Sequence, residues 1–266
     1  MRRREFITLV GGAATWPLVA RAQQAAVPVI GFLGSSSNDL YEIRLGAFRQ
    51  GLKETGYVEG ENARIEYRWA GGKNNRLPAL AAELVQRRVA VIVAAGGTAS
   101  ALAAKAATTT VPIVFGVGAD PVEIGLVDSL NRPGGNVTGV TSLNVEIGPK
   151  RLELLRELLP AATTIALLVN PTSPRLAEQF LRAIEAAAGA LGLQTHVLHA
   201  SSERDFDTVF ATLVRLRADA LIVSPDNFFS AESQQLAERA LRQGVPAFYQ
   251  YRPFAEARRP GQLRQQ

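Results

Sequence analysis

The 266-residue sequence has no cysteine, and it has only two histidines and one methionine. The absence of cysteine excludes disulfide bonds, thiolate metal ligands and a cysteine nucleophile. His196 and His199 stand three residues apart on a predicted strand, where they point to opposite faces and cannot hold one metal ion together. Hydrophobic residues make up 47% and charged residues 20% of the chain, which is typical of globular proteins. We therefore expect no metal site.

The sequence also lacks the common motifs of nucleotide-binding and hydrolytic enzymes. It contains no G-x-x-x-x-G-K-[ST] phosphate loop and no G-x-S-x-G nucleophile elbow. Residues 31–34 (GFLG) follow a predicted strand, but they do not form the G-x-G-x-x-G fingerprint of dinucleotide binding. We expect a protein without catalytic activity or cofactor. An exported α/β enzyme that uses aspartate and serine alone is the alternative.

The net charge of +5 belongs to the two ends of the chain. Residues 1–22 and residues 252–266 each sum to +3, which leaves −1 for residues 23–251. Residues 23–251 have nearly balanced charge and therefore lack the basic surface that binding to a polyphosphate needs. The sequence therefore predicts no nucleic-acid partner.

The first 22 residues have the pattern of a secretory signal peptide. Three arginines, Arg2 to Arg4, precede 15 mostly apolar residues, and the stretch ends with Ala-Arg-Ala at residues 20–22. An apolar run of this length is shorter than the roughly 20 residues that span a bilayer. The pair Arg3 and Arg4 fits a twin-arginine signal, while Sec export is the second route and a buried N-terminal helix is the alternative. We predict a periplasmic mature chain with no membrane-spanning helix.

From residue 27 onward, short apolar strands alternate with amphipathic helices, and the same order occurs twice. The pattern predicts two Rossmann-like α/β lobes with parallel sheets and a cleft between them. We assign residues 23–142 to the first lobe, residues 143–251 to the second lobe and residues 252–266 to an irregular tail. One continuous sheet is the alternative. The predicted strands are residues 27–34, 63–69, 89–94, 112–115, 165–169, 194–198, 220–224 and 245–249, with a short extra strand at 137–141.

Polar residues follow the carboxyl ends of these strands, where open parallel sheets bind ligands. Hydroxyl groups and helix N-termini at such positions suit a carboxylate, and aspartates suit an ammonium group or sugar hydroxyls. Three plainer roles stay open, namely helix caps for the serines and threonine, a helix start at Asp120 and a turn at Asp226. The candidate ligand-binding residues are Ser35, Ser36, Gly97, Thr98, Asp120, Asn170, Asp226 and Asn227.

Several segments resemble one known family, the exported substrate-binding proteins of ABC transporters. The resemblance runs from Met1 to about Phe254, and its most specific segments include residues 48–61 (FRQGLKETGYVEGE), 65–70 (IEYRWA) and 132–140 (RPGGNVTGV). It implies a type 1 periplasmic-binding fold that closes on a small solute and delivers the solute to an ABC permease in the inner membrane. Characterised relatives in this branch bind aromatic amino acids, and the family's ligand loops fall on the eight residues named above.

The resemblance breaks down after residue 254. Family members continue with strands and a helix that return to the first lobe, whereas residues 255–266 (AEARRPGQLRQQ) are polar and aperiodic. The resemblance thus implies that the final return segment is missing and that one sheet edge is unpaired. A non-functional truncated product is one alternative function, and a periplasmic ligand sensor for a membrane-bound signalling partner is another.

Overall fold

The computed structural model describes residues 27–37 and 41–250. The proposed signal peptide and the arginine-rich tail lie outside these residues. In the described part, the first sheet has five strands in the order β2-β1-β3-β4-β5, and the second has four in the order β7-β6-β8-β9. The strands are β1 (Val29–Gly34), β2 (Arg64–Trp69), β3 (Val91–Gly96), β4 (Ile113–Val117), β5 (Val137–Thr141), β6 (Thr164–Val169), β7 (Gln194–His199), β8 (Ala220–Val223) and β9 (Ala247–Phe248).

Every neighbouring pair of strands is parallel. The prediction of two parallel α/β sheets is confirmed, and the alternative of one continuous sheet is wrong. The eight helices of the described residues are α1 (Glu42–Glu54), α2 (Leu77–Gln86), α3 (Thr98–Ala107), α4 (Gly148–Leu158), α5 (Pro174–Ala190), α6 (Asp205–Leu216), α7 (Asn227–Ala231) and α8 (Ser233–Arg242). We call the described residues up to Thr141 the first lobe, residues 142–147 the linker and residues 148–250 the second lobe.

The strands form where the chain has short apolar runs, because parallel sheets are covered by helices on both faces. All four residues of β8 are buried, and five of the six residues of β6 are buried. The helices bury one stripe each, as in α5, where Leu176, Phe180 and Ile184 recur every four residues and are buried. Because helices and strands alternate and the strands are parallel, the carboxyl ends of all strands in a sheet lie at the same edge of that sheet.

The two lobes also share a hydrophobic core. One cluster of buried residues contains Leu33 and Ile113 from the first sheet together with Ile165, Phe180 and Ile184 from the second lobe. Two smaller clusters lie within the individual lobes, one around Phe206 and the other around Phe32. The lobes are thus in apolar contact over part of the surface between them. None of the described helices is long and apolar enough to cross a membrane.

Two local features differ from the predicted pattern. The first sheet has five strands rather than four, because the strand at 137–141 pairs with β4 along its whole length. Only Val137 of that strand is buried, so the hydrophobic pattern of a core strand is missing from it. The short helix α7 was not predicted, since five residues are too few to show helical periodicity.

Asp219 joins the starts of β6 and β8. Its Oδ2 atom accepts hydrogen bonds from the backbone N–H of Thr163 at 2.8 Å and of Thr164 at 2.9 Å. Its own N–H donates to the Thr164 carbonyl at 2.8 Å. The backbone hydrogen bonds from Thr163 and Thr164 lower the pKa of Asp219, because they stabilise the charged form.

We expect Asp219→Ala to lower the free energy of unfolding by about 1–2 kcal/mol at neutral pH, because two backbone N–H groups lose their acceptor. The folded-state pKa of Asp219 is depressed, so its contribution is complete above the unfolded-state value of about 3.9. The contribution is then lost as the pH falls through the folded-state pKa. Urea unfolding of wild type and variant, measured from neutral pH to about pH 3, should show a difference that shrinks on acidification.

The matched control is Asp207→Ala, which removes a carboxylate that is 78% exposed and pairs with Arg239. An exposed ion pair contributes about 0–1 kcal/mol, so this control should have the smaller effect. A difference between wild type and Asp219→Ala that does not change with pH would contradict the role of the carboxylate.

Candidate ligand site between the lobes

The strand-end loops of the two lobes meet, and Asn227 makes the central contact. The two N–H groups of its Nδ2 atom are shared among three acceptors, namely Ser35 Oγ at 3.2 Å, Tyr41 Oη at 3.0 Å and the carbonyl oxygen of Gly96. The Ser35 hydroxyl donates to the same Gly96 carbonyl. Ser35, Tyr41 and Gly96 belong to the first lobe and Asn227 to the second, so one amide group connects the lobes.

Gly97 leaves space for the Asn227 side chain. Its φ angle is +111°, and a Cβ atom built at this position would overlap the Asn227 amide group. A side chain at residue 97 would thus be strained in its backbone and would displace the connecting residue. The glycine is required for the two lobes to approach each other here.

Asn170 and Asp226 are buried behind Asn227 and hold it in place. Asp226 Oδ1 accepts a hydrogen bond from Asn170 Nδ2 at 3.0 Å and from the backbone N–H of Phe228 at 2.9 Å. The second bond makes Asp226 the N-cap of α7, the helix that begins at Asn227. Asn170 Oδ1 in turn accepts from the N–H of Thr172 at 3.0 Å and from its hydroxyl at 2.7 Å. Both side chains therefore organise the loops at the ends of β6 and β8.

Asp120 lies apart from this group, in the turn that follows β4. Its Oδ1 atom accepts from the backbone N–H of Val122 at 2.7 Å and of Glu123 at 3.3 Å. The turn contacts α5 of the second lobe, because Gln179 Oε1 accepts from the Asp120 N–H at 3.2 Å and the Glu123 carboxylate pairs with Arg182. The hydrogen bond from Arg182 lowers the pKa of Glu123, and a second one from Gln179 adds to the effect.

A cavity of about 430 Å³ lies between the lobes beside Asn227, and we call it the main cavity. Residues of the first lobe, the linker and the second lobe all contribute to its wall. Gly97, Thr98 and Asn227 are the sequence-predicted residues that line it. The other lining residues are Tyr41, Arg44, Ala95, Gly116, Val117, Gly118, Val140, Thr141, Ser142, Asn144 and Pro225.

The wall of the main cavity contains two sources of positive charge, the N-terminus of α3 and Arg44. Thr98 is the first residue of the ten-residue helix α3, and a helix N-terminus carries partial positive charge and unpaired N–H groups. Arg44 is the charged residue among the described residues that line the cavity. Its guanidinium carbon lies 5.2 Å from the centre of the Tyr41 ring, and its Nη1 donates to Tyr41 Oη at 3.2 Å.

A second cavity, of about 280 Å³, also has residues of both lobes in its wall, and we call it the side cavity. It shares no lining residue with the main cavity among the described residues. Ser36 lines it from the first lobe, and Phe228 lines it from the second. Thr98 also lines a third cavity, of about 290 Å³. The predicted site residues are thus distributed over three cavities, the hydrogen-bonded loops beside them and the separate turn of Asp120.

Sequence reasoning missed five polar or aromatic residues of the main cavity: Tyr41, Arg44, Thr141, Ser142 and Asn144. Tyr41 and Arg44 lie at the start of α1, where helical spacing indicates a core contact and gives no sign of a ligand site. Ser142 and Asn144 belong to a polar stretch at the predicted boundary between the lobes. The polarity of this stretch was the sequence signal that could have marked both residues as part of the site. Among the described residues, no group of three or more histidine, aspartate or glutamate side chains is arranged to hold a metal ion.

The comparison with known families agrees with this geometry. Residues 18–257 match the family described as ABC transporter substrate binding protein. The chain belongs to this family. The family that the sequence resembles is therefore confirmed, and its type 1 periplasmic-binding fold agrees with the two parallel sheets.

Individual relatives cover less of the chain. Over 124 residues the chain is 33% identical to a tyrosine-binding protein of Clostridioides difficile strain R20291, and the match covers 46% of this chain but only 35% of that relative. A solved conserved domain protein of Vibrio cholerae O1 biovar eltor strain N16961 is 25% identical with a TM-score of 0.77, covering 87% of this chain and 76% of the other.

A solved ABC domain from Streptococcus pneumonia, in complex with L-Trp, shares the fold. It is 22% identical with a TM-score of 0.76, covering 87% of this chain and 76% of the other. The present chain and these two solved structures therefore have the same overall fold.

We expect Gly97→Ala to lower the free energy of unfolding by about 1–3 kcal/mol, because alanine is strained at this φ angle and its methyl group collides with Asn227. In an Asn227→Ala background the same substitution should cost less, since only the backbone strain remains. Urea unfolding of the two single variants and the double variant measures the coupling. Gly46→Ala is the control, because a Cβ atom there meets nothing within 4 Å. If Gly97→Ala lowers the free energy of unfolding equally in the wild-type and Asn227→Ala backgrounds, the close approach of residue 97 to the Asn227 side chain is contradicted.

Proposed function

We propose that this protein is the substrate-binding component of an ABC importer. It captures a small solute between its two lobes and delivers the solute to a permease in the inner membrane. The observation that supports this proposal is the main cavity, whose wall includes Thr98 of the first lobe, Ser142 of the linker and Asn227 of the second lobe. Membership of the substrate-binding family gives the proposal its transport context. We propose that the protein acts by binding the solute, without catalysis.

The solute class follows from the wall of the main cavity. A carboxylate suits the N-terminus of α3 and the positive charge of Arg44, while Val140, which is 73% exposed, offers an apolar surface. A volume of about 430 Å³ is within the range of small-molecule sites. The relative from Clostridioides difficile is a tyrosine-binding protein. We propose an aromatic amino acid or a related aromatic carboxylate as the solute.

The mechanism is closure of the lobes around the solute. A solute that contacts both lobes stabilises the closed state relative to the open one. In the closed arrangement Asn227 bridges the lobes, and Asn74 Nδ2 of the first lobe donates to Thr172 Oγ1 at 3.1 Å and to Ser173 Oγ at 3.0 Å in the second. These contacts beside the main cavity are hydrogen bonds, which can break when the lobes separate.

The eight predicted residues take different parts in this proposal. Gly97, Thr98 and Asn227 contact the solute. Ser35, Asn170 and Asp226 hold Asn227 in position, whereas Asp120 stabilises a turn against α5 and Ser36 belongs to the side cavity. We also propose a periplasmic location, reached through the twin-arginine or Sec signal of residues 1–22, and no nucleic-acid partner.

We expect isothermal titration calorimetry to detect tryptophan, tyrosine or an aromatic carboxylate binding to residues 23–266. Asn227→Ala should weaken that binding about tenfold, since it removes a contact to the solute together with a bridge between the lobes. Asp226→Ala should also weaken it, because α7 loses the cap that positions Asn227.

Asn131→Ala is the matched control, since Asn131 lies in an exposed turn that lines neither cavity. Binding of sugars or other neutral solutes in place of aromatic acids would overturn the proposed solute class while leaving solute capture intact. An Asn227→Ala variant with wild-type affinity would overturn the proposed site.

A further inference from the structure

The outer edge of β5 is unpaired in the described part of the chain, where this strand pairs with β4 alone. At one end of the pairing the Asn136 carbonyl accepts from the N–H of Ile113 at 2.8 Å. At the other end the Ser142 N–H donates to the Val117 carbonyl at 3.0 Å. The even-numbered residues of this segment therefore bond to β4. Because the direction of the backbone groups alternates along a strand, the N–H and C=O groups of the odd-numbered residues point to the free edge.

The other sheet edges of the described residues are protected in ways that β5 is not. Edge strands of natural proteins avoid further pairing through charged side chains, short length or coverage by other elements. Charged residues occupy every second position of β2, and β9 has only two residues. In β7, residues 195–197 are half-buried. By contrast, Thr138, Gly139 and Val140 of β5 are exposed and uncharged.

The free edge of β5 is suited to pair with a second copy of itself. Its register with β4 runs over the whole strand without a bulge, so the edge is regular. In an antiparallel pair, residues that exchange both backbone hydrogen bonds alternate with residues that exchange none. A two-fold axis at Gly139 places this residue opposite its own copy and Val137 opposite Thr141. These are the residues whose backbone groups point outward, so each of them finds a partner.

We propose that β5 is a homodimer interface, at which the first sheets of two copies join into one sheet through antiparallel β5 strands. The partner is a second copy because the outward-pointing residues are arranged symmetrically about Gly139, as a two-fold axis requires. Val140 and Thr141 also line the main cavity, so the second copy lies next to the proposed solute site. The interface does not depend on which solute binds there.

Sedimentation equilibrium of the purified protein over a range of concentrations measures the association, and we expect a monomer–dimer equilibrium. Thr138 of one copy faces Val140 of the other, so changing both to lysine brings like charges together. This double variant should raise the dimer dissociation constant at least about tenfold. The corresponding double glutamate variant should do the same, whereas an equimolar mixture of the two should regain the dimer. Recovery in the mixture separates lost pairing from lost folding.

Val214→Lys is the matched control, since Val214 lies on α6 of the second lobe and is 54% exposed. This variant should associate as wild type does. A wild-type protein that is monomeric at every concentration would overturn the proposal, and so would a double lysine variant that associates as wild type does.

The register of the pair is tested by cross-linking, which the absence of cysteine from the chain makes simple. Thr138 and Val140 of the second copy form a pair without backbone hydrogen bonds, in which Cα atoms lie about 4.5 Å apart. A disulfide can bridge this distance. Mild oxidation of a mixture of Thr138→Cys and Val140→Cys copies should therefore give more covalent dimer than either variant alone. Equal cross-linking in the mixture and in the separate variants would overturn the proposed pairing.

Discussion

The hydrogen bonds of the Asn227 side-chain amide are the interaction on which this structure depends. One Nδ2 atom reaches Ser35, Tyr41 and Gly96 of the opposite lobe. Asp226 and Asn170 determine where α7 begins and therefore where this amide lies. Gly97 provides the space that the amide enters. A small polar contact of this kind suits a protein that opens and closes, because it is specific in geometry but weak in net free energy.

The parallel sheets explain why this contact can form. In both lobes the strands run in the same direction, so their loops collect at one edge. The shared hydrophobic cluster holds the lobes together over another part of the surface between them. At the edge where the polar loops meet, the lobes do not pack closely, and the main cavity and the side cavity lie between them there. Asn227 and Phe228, which are consecutive residues, line the first and the second respectively.

The two cavities differ in the charged residues of their walls. The main cavity has a helix N-terminus and Arg44, whereas the side cavity has Lys73 and two carboxylates, Glu203 and Glu232. Each is lined by residues of both lobes.

Hydrophobic periodicity by itself determined the two α/β lobes, because buried strands such as β6 and β8 must be apolar along their whole length. It did not place the strand at 137–141 in the first sheet, since that strand buries little more than Val137. The strand-end rule selected Gly97, Thr98 and Asn227 as ligand-binding residues; all three line the main cavity, and their role in binding stays a prediction. Only the tertiary structure decided that Asp226 binds Asn170, that Asp120 closes a turn, and that Tyr41 and Arg44 reach the cavity. Those outcomes depend on which residues from distant parts of the chain meet, and local spacing carries no information about such contacts.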